Sequence, residues 1–196
     1  MKQLFIWCIP GLFFACKDRS TPQAENKPAE AATSIFPVSS FFNQQIREVD
    51  SLQLPTVKYT IAGGRRDTVS ITMEEFKKLA AEFTESDISK PSVSGHYKET
   101  NFADQSIPSV TLTYSTSNIT LAVQRMDVIL DPNPVLDDKV KTVYIEKKQM
   151  IGDTLINKKL YWKSHKNFQV FTGKQVTGRP EIITQVKVAW DNSDEF

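Results

Sequence analysis

The spacing of apolar positions changes twice along this chain, and each change predicts a change of structure. Phe42, Ile46 and Val49 recur at i, i+4 and i+7, the spacing of one helix face. Ser39-Ser40 after Pro37 predicts a serine-capped start, and Leu54-Pro55 an end. A second stripe, Phe76, Leu79, Ala80 and Phe83, follows Thr72-Met73-Glu74-Glu75. That tetrapeptide reads as a capping box, in which the threonine hydroxyl and the Glu75 carboxylate would each satisfy a backbone N–H. Between the two helices, β-prone residues 57–62 and 67–71 flank Gly63-Gly64-Arg65-Arg66 and predict a hairpin.

From residue 97 onward the period is two. Val110, Leu112 and Tyr114 alternate with Ser and Thr, as in a half-buried strand, and Ser117-Asn118 predicts a turn. Ile119, Leu121 and Val123 then hold one parity, whereas Met126, Val128 and Leu130 hold the other. A one-residue slip flips every side chain, so a β-bulge is expected near Gln124-Arg125. Further strands are expected at 139–150, 153–164, 167–172 and 181–190, with breaks at 131–138, Gly152, 164–166 and 173–178. In the last strand Ile182, Thr184, Val186, Val188 and Trp190 should face inward. No proline interrupts a predicted strand. The expected fold class is α+β: two N-terminal helices with a β-hairpin, then an antiparallel meander of about six strands forming a curved sheet, all in one domain at 35–196.

The first 34 residues follow a different logic. Lys2 is the only charge before Lys17, and residues 4–15 form a charge-free, largely apolar run of twelve, shorter than the roughly 17–25 residues that span a bilayer. A basic start, a short apolar stretch and the small Ala15 make the pattern of a secretory signal. Cys16 follows at once. This arrangement resembles a bacterial lipoprotein signal of the Bacteroidetes type, with Phe13 and Phe14 where the commonest lipobox has leucine and a small residue. The resemblance implies a signal peptide at 1–15, acylation (palmitate included) of Cys16, and a membrane anchor. Residues 17–34 lack any aromatic or large aliphatic side chain, so 16–34 is expected to be the lipidated cysteine and a disordered tether. Lys17, in place of the aspartate that retains lipoproteins at the inner membrane, implies an outer-membrane address, on its periplasmic or its surface side.

Charge and candidate chemistry narrow the function. The 24 Lys+Arg nearly cancel the 23 Asp+Glu, leaving +1, and no polybasic stripe offers a nucleic-acid footprint. Of the two cysteines, Cys8 would leave with the signal and Cys16 would be acylated, so no thiol is expected for catalysis, redox exchange or soft-metal binding. His96 and His165 lie in no metal-binding or nucleophile motif and read as surface residues. The acidic stretch from Asp131 to Asp138 offers oxygen ligands but lacks the EF-hand order, and reads as a proline-shaped turn. An enzyme would need carboxylates such as Asp127, Asp131 and Glu146 to converge.

Tyr144, Tyr161, Trp162, Phe168, Phe171 and Trp190 crowd the last strands, either as core or as a ligand surface. Tyr161 and Trp162 are adjacent on one strand and must face opposite ways. Asp50-Ser51-Leu52, Asp67-Thr68-Val69 and Asp153-Thr154-Leu155 are similar to the O-glycosylation sequon of exported Bacteroidetes proteins. No catalytic, cofactor or metal residue is assigned. The sequence thus points to a lipid-anchored envelope protein that binds or scaffolds without catalysis. Its partners would be the membrane, through the lipid, and an envelope protein, glycan or lipid ligand. The alternative is a carrier whose curved sheet encloses a lipid or other hydrophobic ligand.

Overall fold

A computed structural model describes residues 35–104, 106–133 and 139–191. Helix α1 (Val38–Ser51) is followed by strands β1 (Val57–Ala62) and β2 (Arg65–Ser70), helix α2 (Met73–Glu85) and a single turn of helix α3 (Pro91–Ser94). Seven strands follow among the described residues: β3 (Lys98–Asp104), β4 (Ser109–Ser115), β5 (Val123–Leu130), β6 (Val140–Ile151), β7 (Thr154–Lys163), β8 (Asn167–Val176) and β9 (Ile182–Ala189). All nine strands belong to one antiparallel sheet of order β2-β1-β9-β8-β7-β6-β5-β4-β3. Among the described residues strand accounts for 49% and helix for 21%, so the fold is mainly β.

This corrects the α+β expectation. The N-terminal hairpin is no separate element beside the helices. It extends the meander, because β1 lies antiparallel along the free edge of β9, from Val57 opposite Ala189 to Ala62 opposite Thr184. Pairing satisfies backbone groups that an exposed edge would leave to water. Its partners are far apart in sequence, so no local period announces it.

Cross-strand pairing sorts the side chains into two faces. On the face beneath the helices, one row runs Tyr114, Met126, Ile145, Leu160, Val170, Val186. The adjacent row runs Val128, Val143, Trp162, Phe168, Val188. α1 and α2 cover the middle of both rows with Phe42, Phe76 and Phe83, all fully buried. Trp162 stacks on Phe168 at 5.0 Å and meets the edges or tilted faces of Phe42, Phe83 and Trp190 at 5.0–5.5 Å. Offset and edge-on contacts of this kind are the favoured aromatic geometry, so the rings fill the layer as they bind it.

The local signals are realised in part. The α2 start has half of its capping box: Thr72 Oγ1 accepts the Glu75 N–H at 3.3 Å, while the Glu75 carboxylate pairs with Lys58 of β1. The predicted serine cap of α1 is absent. Pro37 stands at the cap, and Ser39 and Ser40 lie within the first turn. The buried stripe is Val38, Phe41, Phe42, Gln45 and Val49, with Gln45 a buried polar member. Gly63 and Gly64 both take positive φ, 54° and 76°, as a two-residue hairpin turn requires. The register shift between Val123 and Arg125 is the expected bulge.

Three other expectations need correction. Ile119 and Leu121 belong to the β4–β5 loop, whose backbone is held by local bonds such as Leu121 N–H to Asn118 C=O at 3.2 Å. β8 continues through Gly173 to Val176 where a break was expected. There the missing side chain makes room for the Glu181 carboxylate, since a Cβ at Gly173 would lie 2.1 Å from Glu181 Oε1. Along β9 and at Trp190 just after it the inward parity is as expected, with Val186, Val188 and Trp190 in or against the core, but Ile182, on the same face, is exposed.

Candidate binding face

The helices cover one face of the sheet and leave the other open. Across the open face one row runs Asp127, Tyr144, Tyr161, Gln169, Lys187, Tyr59. The next runs Arg125, Glu146, Lys159, Phe171, Gln185, Ile61. The predicted aromatic set is therefore divided. Trp162, Phe168 and Trp190 are core, whereas Tyr144, Tyr161 and Phe171 are half-buried on the open face. Tyr59, absent from the predicted set, joins them on β1. The Arg66 guanidinium sits 4.9 Å from its ring centroid and the Lys187 ammonium 5.7 Å, cation–π contacts that hold the ring in place. Gln185 Nε2 donates to Gln169 Oε1 at 3.1 Å, tying the two central rows together.

A charged cluster occupies the β5–β6 part of this face. Arg125 Nε lies 3.0 Å from both Asp127 carboxylate oxygens, with Nη2 3.0 Å from Oδ2. One strand over, the Tyr144 hydroxyl donates to Glu146 Oε1 at 2.7 Å. Burial raises the Tyr144 phenol well above its ordinary value, and the hydrogen bond and negative charge of Glu146 push the same way. The side-chain bond to Asp127 raises Arg125. Asp127 and Glu146 do share a face, as an enzyme reading would require, but each already has a donor. Asp131 is elsewhere, bound to Lys141 Nζ at 3.2 Å and to the Asn133 N–H at 2.9 Å, and these bonds lower its carboxyl.

The Tyr144 geometry has a measurable consequence. A phenol whose pKa rises on folding contributes stability that is full below the unfolded value near 10 and is lost as pH climbs from there toward the folded value. Between pH 8 and pH 11 the wild type should therefore lose more stability than Tyr144→Phe. Urea midpoints at the two pH values measure this, and parallel losses would show that the phenol is not held.

Next to the cluster lies an open cleft of about 720 Å³, lined in part by Glu146, Lys148, Asn157, Lys159, Phe171 and Glu181. It offers an aromatic face, an amide and charges of both signs. The histidines take no part in it. His96 is exposed after α3, and His165 sits at the β7–β8 turn with positive φ, 58°. There its Nδ1 meets Glu48 at 2.8–2.9 Å and its N–H donates to Gln45 Oε1 at 2.7 Å. Among the described residues no group of three or more His, Cys, Asp or Glu could hold a metal. Residues 134–138 of the acidic turn, and Cys16 with the signal and tether, lie outside the described residues. No helix among the described residues is long and apolar enough to cross a membrane. No family model, curated protein or solved structure matches the chain.

Proposed function

We propose that this chain is a lipid-anchored protein of the bacterial envelope, acylated at Cys16 and tethered to the outer membrane, that binds without catalysis through the open face of its sheet. The observation that carries the binding reading is the sorting of side chains between faces. The largest aromatics are spent on the core, while Tyr59, Tyr144, Tyr161 and Phe171 remain accessible among the amides of Gln169, Gln185 and Asn157. Flat apolar rings flanked by amide donors and acceptors suit a partner with alternating apolar and hydroxyl-bearing surfaces, which is the chemistry of an envelope glycan. The filled aromatic layer beneath the helices favours this use of the sheet over a carrier that holds its ligand there.

The anchor rests on the apolar run ending in Ala15-Cys16. In cells fed radiolabelled palmitate, wild type should take up label and Cys16→Ser should take up none; equal labelling would overturn the anchor. The binding face is tested separately with purified cell-wall glycan in a sedimentation assay. Tyr161→Ala combined with Phe171→Ala should weaken retention on the order of tenfold, about 0.5–1.5 kcal/mol for each lost ring contact. Unchanged retention, or none by the wild type, would remove the glycan reading.

A further inference from the structure

We infer that the end of the sheet carrying the β6–β7 and β8–β9 turns is a membrane-contacting edge, which inserts apolar side chains into an anionic lipid surface. Antiparallel pairing brings four connections to this end: Gly63-Gly64 after β1, residues 116–122 after β4, Gly152-Asp153 after β6 and residues 177–181 after β8. Five of the ten exposed large hydrophobic residues among the described residues gather here: Ile119 is 84% accessible, Met150 61%, Ile151 55%, Ile182 66% and Ile183 61%. A concentration of this kind on one end differs from the scattered apolar residues that any surface carries.

The shape of the patch favours lipid. Ile151 and Ile182 lie on the helix-side face of the strand ends, whereas Met150 and Ile183 lie on the open face. Ile151, Ile156, Val176, Pro180 and Ile182 also line a groove of about 430 Å³ on the helix side. The edge is thus a wedge, apolar on both sides. A fluid hydrocarbon phase covers both sides of a wedge at once, whereas a folded partner would have to straddle it. Arg65, Lys148, Lys174 and Arg179 stand at or beside these turns, form no ion pair among the described residues, and outnumber the two carboxylates there, Asp153 and Glu181. Cations around an exposed apolar centre match the chemistry of an anionic bilayer interface. The inference does not depend on acylation of Cys16.

A local probe tests it, because a local probe is blind to any membrane affinity of the N-terminal residues. The full-length chain with Cys8→Ser and Cys16→Ser would receive a polarity-sensitive fluorophore at Ile151→Cys, at Ile182→Cys or, as the control at the opposite end of the sheet, at Ile107→Cys. With vesicles of phosphatidylcholine and phosphatidylglycerol, emission should shift to the blue at 151 and 182 and stay unchanged at 107. Lys174→Ser with Arg179→Ser should raise the lipid concentration for half-maximal shift on the order of tenfold, and salt should do likewise. The inference fails if neither probe shifts, or if pure phosphatidylcholine gives the same response. It also fails if the shift follows protein concentration without vesicles, which would make the occupant a second copy of the chain.

Discussion

Replacing Trp162 with alanine is expected to destabilise the protein by about 3–5 kcal/mol, lowering the melting temperature on the order of 10 °C. The indole is fully buried and touches four other rings, Phe42, Phe83, Phe168 and Trp190. Two of these come from the helices and two from the sheet side, so the cavity would open at the junction that holds the layers together. Trp162→Phe should cost far less, about 1–2 kcal/mol. Its smaller ring still packs, and it removes an indole N–H that is buried without a hydrogen-bond partner. Thermal or urea unfolding of the two variants gives the comparison. If they were equally unstable, the indole N–H would matter more than the ring.

Gln45→Leu is expected to cost about 2 kcal/mol although leucine is the more apolar residue. Gln45 is 1% exposed, and its Oε1 accepts the backbone N–H of His165 at 2.7 Å. Leucine fills the space but removes the acceptor that this N–H uses, at a residue already in the left-handed region. Gln45→Glu separates the two contributions. A carboxylate keeps the acceptor but buries a charge near Glu48, so relative to wild type this variant should be less stable at pH 7 than at pH 4. Equal losses for leucine and alanine at this site, with no pH dependence for glutamate, would mean that packing alone sets the cost.

The sequence was legible where the signal was local. Phe76, Ala80 and Phe83 are the buried stripe of α2, and the parity switch around Gln124-Arg125 is a bulge. The opposed directions of Tyr161 and Trp162 foretold that the aromatic set would divide. Ile119 and Leu121 misled because alternation alone cannot separate a strand from a loop closed by an asparagine turn, in which Asn118 Oδ1 accepts the Thr120 N–H at 3.0 Å. Gly173 misled because glycine marks a close approach as readily as a turn. The β1–β9 pairing left no trace, since it joins segments with no shared local pattern. The apolar edge was equally hidden: Ile119, Met150 and Ile182 reach the same end of the sheet only once the meander aligns their turns.

That β1–β9 ladder also constrains the order in which the molecule is completed. Val57 pairs with Ala189, 132 positions further along the chain. During synthesis the N-terminal hairpin can form early, yet it has no sheet to join until almost all the remaining strands have been made. Closing so long a loop is entropically costly and slow, so the ladder is expected to form late in folding. Until then β1 and β9 each present an unpaired edge to any other strand nearby. The interval before they meet is when the nascent protein is most open to pairing with the wrong chain.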